Sequence, residues 1–220
     1  MILEEYQKML EKLTMLGDRE FVMSHIRVGL RRKAVDEVLK QSTKFKGIEA
    51  YLFVRYELED DTWNYIKLND GALEIIDVTE EEAWKQAYAN VCSEVKIRPL
   101  FDHLQELALE RGMDLEEEEV EDVKGLYIVT NEQGWYGASS VLAGEQMDRF
   151  ADEQGYKRWI VIPSSVHEVL LYPFMDDGDM ELMSLIVREV NAENVAPEER
   201  LSDRAYVVRL GKEGLNAEGS

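Results

Sequence analysis

The stretch from Leu126 to Pro173 constrains the chain most, because strand, turn and helix signals follow one another there with only brief breaks. Leu126 to Thr130 and Trp135 to Leu142 flank Asn131-Glu132-Gln133-Gly134. That order predicts a hairpin loop, since Gly takes positive φ without steric cost and Asn tolerates it. Lys157 to Pro163 and Val166 to Tyr172 flank Ser164-Ser165 in the same manner. Between the two pairs, Met147, Phe150 and Ala151 recur at helical spacing up to Gly155, a stop signal.

The remaining signals build a consistent class. Ile48, Ala50, Leu52, Val54, Tyr56 and Leu58 alternate with Glu49, Tyr51, Phe53, Arg55 and Glu57, the pattern of a half-buried strand with one dry face. Phe21 to Leu30 reads as a strand, and Arg31-Arg32-Lys33 with Val35, Val38 and Leu39 as a following helix. Thr62 to Leu68 is a further strand, and Asn69-Asp70-Gly71 marks a break before Ala72 to Ile76. Thr79 with Glu82 is a capping-box signature for a helix buried through Ala83, Trp84, Ala87, Tyr88 and Val91. A helix from about Pro99 ends at Gly112, another runs from Asp179 to Val190, and Arg204 to Leu210 is the last strand. Ile2, Leu3, Tyr6, Met9, Leu10, Leu13 and Leu16 predict an amphipathic helix at the start. Hairpins with helices between them predict an α+β fold: antiparallel sheets with helices packed on one face, in two ββα-containing halves. The halves are 1–112 and 125–212, joined by an acidic linker at 113–124 and followed by a frayed tail at 213–220.

Charge narrows the function classes. The 220 residues carry 25 Lys and Arg against 46 Asp and Glu, a formal net charge of -21. Such a surface repels phosphate, and contact with nucleic acid or an anionic bilayer would lack the counterion-release term that drives it. A basic protein, a nucleic-acid binder among them, is the partner this surface favours; direct nucleic-acid and membrane binding are not. The densest acidic run, Glu116, Glu117, Glu118, Glu119, Glu121 and Asp122, is the candidate partner-binding segment. A lone cysteine, Cys92, excludes an intrachain disulfide and a cysteine-based zinc site. With no basic-plus-apolar leader and no apolar run long enough to span a bilayer, the reading is cytoplasmic.

Leu126-Tyr-Ile-Val-Thr-Asn131, Gly137-Ala138, Ile162-Pro-Ser-Ser-Val-His-Glu-Val169, Arg188-Glu-Val-Asn191 and Leu201-Ser-Asp203 together resemble the family catalogued as domain of unknown function 5688. The likeness runs from about Phe21 to Leu210 and takes in Asn64-Tyr-Ile-Lys-Leu-Asn69 and Val78-Thr-Glu-Glu-Glu82. It implies a protein of Firmicutes associated with mobile genetic elements, and brings no established activity with it.

Candidate chemistry is sparse. Ser164-Ser165-Val166-His167-Glu168 is where a nucleophile, a base and a carboxylate crowd together. On a strand Ser165 and His167 share a face while Glu168 points away, so a hydrolase would rest on Ser165 and His167 alone. The alternative is a hairpin turn closed by the serines, with His167 in a structural hydrogen bond. His25, His103 and His167 lie on separate elements, and Asp176-Asp177-Gly178-Asp179 lacks the closing glutamate of a calcium loop. No Gly-rich phosphate cradle occurs. The reading therefore assigns no cofactor and no metal. Trp63, Tyr65, Trp135 and Tyr136 are strand aromatics whose sequence neighbours are acidic or neutral, which favours packing over base stacking. The leading expectation is a non-catalytic interaction protein; the alternatives are a small hydrolase and a homodimeric subunit joined at the Trp63 or Trp135 strand edges.

Overall fold

The computed structural model describes residues 14–57, 63–113, 125–163, 165–210 and 216–218. Two antiparallel sheets and the helices packed on them form an α+β fold. Helix α1 (Arg19–His25) is capped by Asp18, whose carboxylate accepts from Phe21 N–H at 3.1 Å. Strand β1 (Ile26–Arg32) follows at once. The strand expected at Phe21 is therefore helical for one more turn.

Strand β3 (Ile48–Glu57) is the axis of the first sheet. It pairs with β1 from Ile26↔Val54 to Arg32↔Ile48. Its other edge is shared end to end by β2 (Lys40–Ser42) and β4 (Trp63–Lys67). Leu39 N–H donates to Leu68 O, Leu52 N–H to Leu39 O and Leu68 N–H to Leu52 O, all near 3 Å, so the edge is hydrogen-bonded across the junction of β2 and β4. That role removes the helix expected through Val35, Val38 and Leu39. Asp36 is held by Arg31 and Lys40 in a loop, and Leu39 enters the ladder.

Ile26, Val28, Leu30, Ile48, Ala50, Leu52 and Val54 are buried with Val22 of α1 and with Ala83, Trp84, Ala87 and Val91 of α3 (Glu80–Ser93). The capping box at Thr79 and Glu82 is formed as expected. The break at Asn69 is a helix cap: its side chain accepts from Ala72 N–H at 3.0 Å and starts α2 (Asp70–Ile75).

The second sheet has the order β10-β9-β7-β8-β6-β5, antiparallel throughout. Its strands are β5 (Val95–Pro99), β6 (Tyr127–Asn131), β7 (Arg158–Ile162), β8 (Val169–Pro173), β9 (Tyr206–Arg209) and β10 (Asn216–Glu218). Met147, Phe150 and Ala151 of α5 (Gly144–Gln154) join Trp159, Val161 and Leu171 in the main core. Val187 of α6 (Asp177–Asn194) joins Ile160, Ile162 and Ala205 in a smaller core on the opposite face. Helices thus cover one face of the first sheet and both faces of the second.

Three further expectations need correction. Trp135 to Leu142 is not a strand: Tyr136 takes φ 52 and Gly137–Leu142 forms a 3-10 helix. Asn131 forces this by bracketing Trp135, donating to its carbonyl at 2.9 Å and accepting from its N–H at 3.2 Å. The tail is not wholly frayed, because β10 extends the sheet along the open edge of β9. Nor do the sheets divide at 113–124: β5, and α4 (Leu100–Glu110) next to it, precede that segment, yet β5 pairs with β6 of the second sheet.

Candidate functional site

Four chain segments meet at His167. Thr130 Oγ donates to His167 O at 2.9 Å, Ala138 N–H to Val166 O at 3.2 Å, and Val166 N–H to Glu199 O at 2.9 Å. The imidazole Nδ1 accepts from Tyr136 N–H at 3.2 Å, which places the ring proton on Nε2, 3.3 Å from Glu199 Oε1. Ser165 is buried; its hydroxyl donates to Glu168 Oε1 at 2.6 Å and accepts from His167 N–H at 3.0 Å. The nucleophile's proton therefore goes to a carboxylate, and both imidazole nitrogens are committed to other partners. Acyl transfer needs the hydroxyl to donate to the imidazole. Ser165 and His167 are adjacent but not coupled in that sense; Ser165 instead closes a local turn on its own backbone.

Trp135 and Tyr136 project from this junction onto the second face of the first sheet. Ring centroids lie 4.6 Å apart for Trp135 and Tyr136, 4.9 Å for Tyr65 and Tyr136, 5.8 Å for Tyr65 and Trp135, and 5.7 Å for Phe53 and Tyr136. The expectation of packing holds, while the expected neighbours do not. Sheet register sets Arg55 opposite Tyr65 and Lys67 opposite Phe53. Arg55 lies 5.0 Å from the Trp63 ring centre, and Arg31 and Lys67 lie 4.9 and 5.4 Å from that of Tyr51. Burial, together with Tyr65 and Glu199, pushes the Tyr136 phenol well above its ordinary range, and burial does the same to Tyr51. Both stay protonated. Trp135 is packed against Tyr65 of the same chain and lies on no strand edge, so it does not supply the dimer edge considered above.

At the margin of this face a largely buried ion triad links β1 and β3 to the C-terminal end of α3. Glu94, at the C-terminal end of α3, accepts from Arg27 Nε at 3.2 Å, and both its oxygens accept from Arg55 Nη2 at 3.0 Å. Burial opposes the charge on Glu94, but Arg27 and Arg55 outweigh it and hold the carboxyl below its usual range. Sequence alternation places Arg55 on the solvent side of β3; its partner is far away in sequence and leaves no local signal.

Among the described residues, large apolar side chains are exposed on α2 (Ile75), on α4 (Leu109) and, as a row, on α6. Val187 and Asn191 of α6 are each only 1% exposed, and Asn191 Nδ2 donates to Ser202 O at 2.7 Å. On the other side Leu182, Leu185 and Ile186 are exposed by 54%, 47% and 38%, and Met175 just before the helix by 63%. The sequence from Asp176 to Glu193 holds Asp176, Asp177, Asp179, Glu181, Glu189 and Glu193 against one base, Arg188. Periodicity alone assigns Ile186 and Val187 alike to the inner stripe; only the packing separates them.

The acidic run Glu116, Glu117, Glu118, Glu119, Glu121 and Asp122 lies outside the described residues. Among the described residues no group of three His, Cys, Asp or Glu could hold a metal, and no helix is long and apolar enough to cross a membrane. The model of a family of unknown function, DUF5688, matches residues 10–209. No curated protein and no solved structure matches the chain.

Proposed function

The chain belongs to that family of unknown function, and on that premise we propose that it is a non-catalytic, cytoplasmic interaction protein of a bacterial mobile element. Its partner is a basic protein segment with an apolar face, docked on the outer side of α6. The observation that carries this reading is the row Leu182, Leu185 and Ile186, three large apolar side chains exposed on one helix face within an acidic stretch. Exposed contiguous apolar surface of this kind marks binding sites on soluble proteins. Its i, i+3, i+4 spacing suits a helical ligand. The acids around it select the sign of that ligand. A second copy of this chain brings the same surplus of carboxylates and is repelled, whereas lysines and arginines are attracted before contact and held at the rim after it. The Glu116 to Asp122 run adds a further basic-partner contact.

The reading is tested with a synthetic Lys- and Arg-rich amphipathic helical peptide labelled for anisotropy. Binding should weaken at least about tenfold, or 1.4 kcal/mol, on Leu185→Glu. It should also fall steeply from low to physiological salt, where the screening length is about 8 Å. A charge-matched peptide without the apolar face should bind more weakly. Equal binding of both peptides, or indifference to Leu185→Glu, overturns the α6 assignment.

A further inference from the structure

At His167 a titratable ring fastens a strained turn. Tyr136 takes φ 52, a left-handed setting that a non-glycine residue keeps only where its surroundings hold it. Its own N–H supplies one such hold by donating to His167 Nδ1 at 3.2 Å. Only a ring with a lone pair on Nδ1 accepts that bond; the imidazolium is a donor at both nitrogens, so protonation breaks it. The His167 side chain is 22% exposed, which lets protons from solvent reach it.

The groups around the ring decide the direction of the effect. Glu199 Oε1 lies 3.3 Å from Nε2, the Tyr136 ring packs edge-on with centroids 5.4 Å apart, Glu168 is engaged by Ser165, and Arg200 donates to Val195 O. The Tyr136 phenol is pushed well above its ordinary range by burial and stays neutral, so the imidazole is the member of this pair that changes charge. Glu199 sits on a segment with its own bond to this strand, from Val166 N–H to Glu199 O at 2.9 Å, and attracts the proton whether Tyr136 is fastened or released. The Tyr136 N–H opposes the proton in the fastened form alone. Proton uptake therefore favours release.

We propose that His167 is a proton-operated latch: the neutral ring holds Tyr136 over Phe53, and the imidazolium stays with Glu199 and lets Tyr136 go. The bracket of Asn131 on Trp135 and the bond from Ala138 N–H to Val166 O do not involve the ring, so the change is confined to Tyr136. Release uncovers Phe53, 1% exposed while Tyr136 lies against it, next to its register partner Lys67 and the pair of Arg55 and Tyr65. An otherwise acidic molecule then presents an aromatic face edged with cations. This inference does not depend on the α6 reading.

Amide hydrogen exchange of the full chain, followed by NMR and corrected for intrinsic rates, is the test. From about pH 8 to about pH 5, the interval in which imidazoles change charge, protection of Tyr136 N–H should fall at least about tenfold. Trp135 N–H, held by Asn131, should not follow it. In the parent protein the Nδ1 nitrogen resonance of His167 should titrate with the same midpoint as the loss of protection, a readout that needs no variant. His167→Asn sets an amide oxygen in the place of Nδ1 and does not titrate, so its Tyr136 protection should be equal at both pH values. Equal protection in the parent at both pH values overturns the proposal, as do midpoints that differ. A loss in His167→Asn as large as the parent's overturns it too, since the acid-sensitive group would then lie elsewhere.

Discussion

Gly137 is where the structure leaves least room. A Cβ built on it would sit 2.4 Å from Thr130 Oγ1, 2.6 Å from Asn131 N and 2.8 Å from His167 O. Two of these atoms are backbone and cannot swing aside. Gly137→Ala should therefore lower stability by about 1–3 kcal/mol through overpacking. Urea unfolding reads this as a lower midpoint at unchanged slope, and a variant as stable as the parent would mean the three segments are not held at this point. Glu94 makes a second residue-scale prediction. Its folded pKa is depressed, so the stability it contributes is present above the ordinary carboxylate range and is lost as pH falls through the depressed value. Glu94→Gln should cost about 3 kcal/mol at neutral pH, the low end for a broken buried pair because some solvent reaches the carboxylate. The difference from the parent should shrink on acidification below the usual carboxylate range; a cost that stays constant with pH would refute the ion triad as its source. The crowding of Ser165, His167 and Glu168 is legible from their adjacency. Their chemistry is not, because the partners that settle it, Tyr136 and Glu199, come from segments about thirty residues away on either side.

At the scale of elements, legibility tracks how much of each signal is local. The capping box at Thr79, the strand state of β3 and the Gly155 stop of α5 depend on neighbours in sequence, and all three are formed, although β3 is buried on both faces where its alternation predicts one. Strand β5 goes unread because Val95-Lys-Ile-Arg-Pro is a five-residue run whose strand state comes from pairing with β6. Trp135 to Leu142 has strand composition, but the Asn131 side chain and a left-handed Tyr136 turn it into a 3-10 helix. The second face of β3 reads as wet, since an alternation pattern cannot foresee that Tyr136 will cover Phe53. Helix α6 shows the same limit, and its two sides separate in a paired experiment. Val187→Ala removes two buried methyl groups and should cost about 2 kcal/mol. Leu185→Glu, on the exposed side, should change stability by no more than about 0.5 kcal/mol. Equal losses for the two variants would show that Leu185 is covered within the chain, and would remove the face on which a partner docks.

At the scale of the whole molecule, the acidic segment at 113–124 misleads as a boundary because charge density reports solvation, while domain structure is decided by what the core joins. The main core runs without a break from Val22 and Ile26 through Trp84 and Val91 to Val129, Met147, Trp159 and Val208, so both sheets share it. The ion pair of Arg32 with Asp203 and the hydrogen bond from the Tyr206 hydroxyl to Lys46 O add links across the same boundary. Neither sheet can lose its partner without exposing apolar surface that the other covers, and at roughly 25 cal/mol per Å² even a few hundred Å² of such exposure rivals the stability of a whole domain. The 220-residue chain should accordingly unfold in a single transition. Trp84 on α3 and Trp159 on β7 report the two sides of this core by fluorescence, and far-UV circular dichroism reports the secondary structure of both sheets. The urea midpoints from the two probes should coincide, and the m-value should match the surface of the entire chain. A fluorescence transition that precedes the loss of ellipticity, or a stable fragment ending within 113–124 after limited proteolysis, would show that the two halves fold independently and that the shared core is an interface between domains.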